Sequence, residues 1–128
     1  MNIDIHNYAK VLVTAEKMIA ASLLSSKNKE IILRFENHLL SLGLSKARIL
    51  KYLYNLKVLG LILKKDFDTA TKEDLQFLVR EIKIRDDYSA WTKHSFCVVI
   101  KRLYKWLYGN DELTVTDTSP RGSQLDYL

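Results

Sequence analysis

The stretch Ser89–Gly109, SAWTKHSFCVVIKRLYKWLYG, decides the fold class. At about 100° per residue, Thr92, Phe96, Val99, Ile100, Leu103, Trp106 and Leu107 share one side of a helix. His94, Lys101 and Lys105 cluster on the other side, with Trp91, Val98 and Arg102 at the margin of that stripe. A helix anchored on one side and cationic on the other can press Lys and Arg against phosphates.

Working outward, the same periodicity returns four times. Tyr8–Leu24 spaces Tyr8, Val11, Leu12, Ala15, Met18, Ile19 and Leu23 at three and four residues, which predicts a first amphipathic helix. Ser25-Ser26-Lys27-Asn28-Lys29 reads as a polar linker, and a second helix over about Lys29–Leu42 presents Ile31, Ile32, Phe35, Leu39 and Leu42. Gly43 then sits where a helix closes in the left-handed conformation. Ser45 caps a third helix, Lys46–Leu63, with the apolar arc Ile49, Tyr52, Leu53, Leu56, Leu59, Gly60 and Leu63. Arg48, Lys51 and Asn55 lie opposite that arc, with Lys46 in the first turn. Thr71-Lys72-Glu73-Asp74 opens a fourth helix as a capping sequence, and Leu75, Leu78, Val79 and Ile82 form its core face. Arg85-Asp86-Asp87-Tyr88 breaks the chain before Ser89 caps the last helix. The expected fold is all-α: a four-helix bundle with an additional N-terminal helix.

Composition agrees. Four glycines and one proline in 128 residues favour long helices over a turn-rich β fold. The net charge of +5 is unevenly spread: from Gly109 onward four acids and one base leave −3, so the first 108 residues carry +8. Such a charge suits an anionic partner, nucleic acid above all. No stretch has the length and apolarity of a membrane span, and the cationic faces lack an adjacent exposed apolar stripe for a membrane surface. Asp4 lies where a secretory leader would be basic. A single cysteine, Cys97, allows no internal disulfide and suits a reducing cytoplasm, where it reads as a semi-buried, inert thiol.

The usual inventories of catalysis are missing. The glycines are isolated, so no phosphate loop is present. His6, His38 and His94 lie on different elements with no second ligand at metal spacing, so no metal or cofactor is expected. Glu73/Asp74 and Asp86/Asp87 stand at helix starts, where dipole and capping roles explain them. No catalytic residue is assigned.

Three motifs recur in a fixed order: Gly43-Leu44-Ser45-x-x-Arg48-x-x-x-Tyr52-x-x-x-Leu56-x-x-Leu59, then Ala70-Thr71-x-x-Asp74-Leu75, then Ser89-x-x-Thr92-x-x-x-Phe96-x-x-x-x-Lys101-Arg102-x-Tyr104-x-Trp106-Leu107. With these, the run from Lys29 to Gly109, about 80 of 128 residues, resembles the core-binding domain of tyrosine recombinases, the phage-integrase superfamily, in its archaeal branch. The resemblance implies a SAM-like bundle of two crossed helical hairpins, which in that family clamps recombination-site DNA together with a separate catalytic domain. It implies that the helices at Lys46–Leu63 and Ser89–Tyr108 face double-stranded DNA, and that the setting is a prokaryotic cytoplasm. The family's His-x-x-Arg box has no counterpart, since His6, His38 and His94 are followed at +3 by Ala9, Ser41 and Cys97. Tyr127 lacks the context of the family's nucleophile. The catalytic partner would therefore be another domain, in the same or a neighbouring chain, and these residues alone would not be an enzyme.

The expected DNA-binding residues are Ser45, Lys46, Arg48, Lys51, Tyr52 and Asn55 on the third helix, and Trp91, Thr92, Lys93, His94, Lys101 and Lys105 on the last. Several have a plainer alternative. Ser45 can be a simple cap, Tyr52 a core ring with a wet hydroxyl, and Trp91 a ring packed over a hairpin. Phe96, Tyr104 and Trp106 are expected in the core. Residues 1–26 read as a helical arm, 27–109 as the DNA-binding domain and 110–128 as an acidic tail or linker. The alternative functions are a helical protein-interaction domain, with self-association through Tyr8–Leu24, and a free-standing DNA-binding regulator.

Overall fold

In a computed structural model of the chain, residues 8–109 are described. They form five α-helices and no strand: α1 (Tyr8–Ala20), α2 (Ser26–Ser41), α3 (Lys46–Leu63), α4 (Lys72–Lys83) and α5 (Ala90–Leu107). The helices fall into two compact units that meet between Asp66 and Phe67, α1 to α3 in the first and α4 and α5 in the second. The tail expected over 110–128 lies outside the described residues.

In the first unit α3 packs against both α1 and α2. Its predicted arc is buried at every position, from Ile49 through Tyr52, Leu53, Leu56, Leu59 and Gly60 to Leu63. Helix α1, which the sequence sets apart as an arm, contributes Leu12, Ala15 and Ile19 to the same buried layer. It also stops at Ala20, four residues before its expected end. Ser22 is the reason: its hydroxyl donates to the Ile19 carbonyl at 2.6 Å and accepts the Leu24 N–H at 3.3 Å. Such a hydroxyl offers the backbone an alternative to the helical ladder. Beyond the turn, Leu24 is buried and Leu23 is 93% exposed, the reverse of the expected pattern.

Helix α2 starts three residues earlier than its polarity suggested. Ser25 is the N-cap and accepts the Asn28 N–H at 3.1 Å, so the polar Ser-Lys-Asn stretch is the first turn of the helix, not a linker. Asn28 is buried, and its amide donates to the Lys65 carbonyl at 2.9 Å. Ser25 Oγ donates to Asp66 Oδ1 at 2.6 Å. The two bonds tie the start of α2 to the exit of α3. Leu42 is half-buried and ends α2, followed by Gly43 at φ +82°.

Helix α3 ends on Lys64 at φ 60°, a left-handed residue that carries a Cβ. An L-residue in this region costs about 1–2 kcal/mol that glycine avoids. Lys64→Gly is expected to stabilise the first unit by about 1 kcal/mol in a thermal melt, while Lys64→Ala, which keeps the Cβ, gains nothing comparable.

The second unit is a hairpin of α4 and α5. Thr71 and Asp74 close a reciprocal capping box, with N–H to oxygen distances of 3.2 and 2.9 Å. Leu75, Leu78, Val79 and Ile82 are buried as the spacing predicts. Tyr104 is buried and donates its hydroxyl to the Phe67 carbonyl at 2.8 Å, which anchors the segment leading into α4.

The buried stripe of α5 comprises Phe96, Cys97, Val99, Ile100, Leu103 and Tyr104. Thr92, Trp106 and Leu107 are only half-buried. The buried arc is therefore centred about 40° from the one read off the sequence: Cys97 and Tyr104 extend it on one side, whereas Thr92 and Trp106, expected within it, are half-buried. Beside this stripe the Tyr88 ring lies 5.4 Å from Phe96, and Arg85 covers it at 5.1 Å.

Candidate nucleic-acid interface

That rotation determines what α5 shows on its other side. Trp91 and Val98, placed at the margin by the sequence pattern, move to the middle of the exposed arc. Trp91 is 71% exposed, and the His94 ring lies 5.9 Å away, tilted by 39°. Lys101 and Lys105 are exposed further along, and Arg102 is half-buried beside them. From His94 to Lys105 the track runs about 16 Å at 1.5 Å per residue.

Two of the expected contacts on α5 have other work. Ser89 Oγ accepts the Thr92 N–H at 3.1 Å and donates to the Thr92 hydroxyl at 3.0 Å, so Thr92 belongs to the cap. Lys93 is half-buried and donates from Nζ to the Lys83 carbonyl at 2.8 Å. There it satisfies a carbonyl of the last turn of α4, where a cation also meets the negative end of the helix dipole.

On α3, Ser45 Oγ accepts the Arg48 N–H at 3.2 Å, the capping role. Lys46, Arg48 and Lys51 are exposed, and Asn55 is half-buried. Arg48, Lys51 and Asn55 fall within about 60° of one another on the helix surface and form one polar stripe. Tyr52 does not join them. It is 5% exposed, its ring meets Phe35 edge-on at 6.1 Å, and it is a core residue because it falls within the buried arc. The sequence pattern passed over Lys57, half-buried on the other flank, and the exposed Tyr54 and Leu61 between the two flanks.

The charge pattern is more informative than any one contact. Helix α3 contains four bases (Lys46, Arg48, Lys51, Lys57) and no acid; α5 contains four (Lys93, Lys101, Arg102, Lys105) and no acid. Carboxylates are present on each of the other helices. There, Glu30 pairs with Lys27 at 3.9 Å and with Arg34 at 4.0 Å, and Glu81 with Arg80 at 3.6 Å.

Among the described residues no three His, Cys, Asp or Glu side chains gather as a metal site, and no helix is long and apolar enough to cross a membrane. Cys97 is buried. A cleft of about 410 Å³ opens where α2 starts and α3 ends, lined by Leu23, Leu24, Leu61 and the Lys64–Asp66 turn.

One buried group went unseen in the sequence. Glu36, 3% exposed, sits within the buried face of α2. Burial, a hydrogen bond to the Glu16 side chain and repulsion from that carboxyl push its pKa up to about 8. Its Oε2 has no hydrogen-bond partner among the described residues.

No family model matches the chain, nor does any curated protein or solved structure.

Proposed function

We propose that the chain is a double-stranded DNA-binding module of a site-specific recombinase of the tyrosine type. It would hold recombination-site DNA for a catalytic domain not found in these 128 residues. The observation that carries the reading is the pair of acid-free, base-rich helices, α3 and α5, on which Lys46, Arg48, Lys51, Lys101 and Lys105 are exposed. The order of sequence motifs supports the recombinase assignment, and the all-helical fold is compatible with a SAM-like arrangement. Lys46, Arg48 and Lys51 on α3 and Lys101, Arg102 and Lys105 on α5 would contact phosphates. Those contacts position the module and supply most of its affinity.

An interaction bundle assembled through α1 has less support, because the Leu12, Ala15 and Ile19 stripe is already buried.

Affinity resting on phosphates falls steeply with salt. With six such contacts, log K against log salt is expected to slope at about −5, since each neutralised phosphate contributes about −0.9. Fluorescence anisotropy on a 20-base-pair duplex between 50 and 200 mM salt measures it. Binding indifferent to salt, or no binding at 50 mM, removes the reading.

A further inference from the structure

The exposed face of α5 carries a group for which phosphate binding has no use. Trp91 is 71% exposed on the same arc as Lys101 and Lys105, with His94 against it. A lysine attracts a phosphate wherever the backbone runs. An indole instead gains most from another flat ring laid on its face. In a continuous duplex every base face is covered by its neighbours, and only edges, sugars and phosphates are presented. A base face becomes available to Trp91 only where the stack is open.

Resting on the DNA-binding reading above, we propose that Trp91 is a stacking platform for an unpaired base, so that the preferred ligand is duplex DNA adjoining a short single-stranded segment. The cations fix the scale of that ligand. Lys101 and Lys105 lie ten and fourteen residues beyond Trp91, about 15 and 21 Å along the helix. That distance corresponds to about four to six nucleotides of one strand at 3.4 Å each. Lys101, Arg102 and Lys105 then grip phosphates of the paired region while the indole covers the first open base.

The test compares a blunt duplex with the same duplex bearing a six-thymine tail, with tails of both polarities, by anisotropy at 100 mM salt. One tailed form is expected to bind at least five-fold more tightly, within the range that one stacked base supplies. Trp91→Ala abolishes that preference and returns the tailed DNA to the affinity of the blunt duplex. The salt slope stays unchanged, because no phosphate contact is lost. Trp91→Phe retains part of the preference. Lys101→Ala weakens both ligands alike and makes the slope shallower by about one. The side chain is exposed, so helical circular dichroism and the melting temperature serve as folding controls for each variant. Equal affinity for blunt and tailed DNA, or a preference that survives Trp91→Ala, overturns the proposal while leaving duplex binding in place. Failure to bind either DNA removes the underlying reading and this inference with it.

Discussion

Lys51→Glu combined with Lys101→Glu is expected to lower affinity for duplex DNA about 100-fold at 100 mM salt without loss of helical circular dichroism. On the proposed DNA-binding reading, each substitution removes one phosphate contact and puts a carboxylate where a phosphate would lie. Losing two contacts makes the salt slope shallower by about two, and the repulsion that replaces them deepens the loss at low salt, where screening is weakest. Both side chains are exposed, so the first-order cost to stability is that of a surface substitution, within about 0.5 kcal/mol. Lys51 lies in the first unit and Lys101 in the second. Either single variant therefore reports on one unit, and a double variant no weaker than the worse single one would mean that only one helix touches DNA. Full affinity in the double variant would remove both helices from the interface. Lys27→Glu plus Arg80→Glu is the control: it reverses two exposed charges on α2 and α4, whose acids already pair with these cations, and should change affinity far less.

How much of this was legible in the sequence differs from helix to helix, for physical reasons. α3 and α4 could be read almost to the residue because their starts are chemically explicit. Ser45 and Thr71 both cap through their own hydroxyls, and apolar periodicity fills every turn between the ends. The ends of α1 and α2 were misplaced because serine has two uses. Ser22 stops a helix by bonding its backbone, whereas Ser25, three residues later, begins one. The orientation of α5 was missed because Cys97 was left out of the apolar arc while Thr92 and Trp106 were counted in it. For the same reason Trp91 was placed at an edge when it stands in the open. Tyr52 and Thr92 show the converse limit: a polar atom near a cationic stripe can already be committed to the core or to a cap. Glu36 had only a positional signal, four residues after Ile32 and three before Leu39. A glutamate beside Phe35 looks like any surface acid until a second helix brings another carboxyl against it.

That pair should make the first unit's stability depend on pH in a way one substitution abolishes. Glu36 faces Glu16, so neither carboxyl offers the other a donor unless one holds a proton. A proton on Glu36 removes a buried charge and makes one of its oxygens a donor toward Glu16. The folded state therefore keeps this proton up to about pH 8, whereas the unfolded chain releases it near the ordinary value of 4.5. Between those values the folded state binds more protons, so stability is fully present below pH 4.5 and is lost as pH rises toward 8. The slope is at most about 1.4 kcal/mol per pH unit, and the loss over the window amounts to a few kcal/mol. Above pH 8 both states are ionised and this contribution is flat. Glu36→Gln retains the shape and a donor toward Glu16 but has no proton to lose. Its melting temperature is expected to be close to that of the parent protein at pH 5 and higher by several degrees at pH 8.5. Glu16→Gln should recover part of that gain, because it removes the repulsion and leaves the larger cause, burial, in place. Circular-dichroism melts at half-unit steps from pH 5 to 9 measure all three curves, and titrations shared with other groups cancel in the comparison. If the parent and Glu36→Gln curves run parallel over that range, Glu36 is ionised in the folded protein and the carboxyl pair holds no proton.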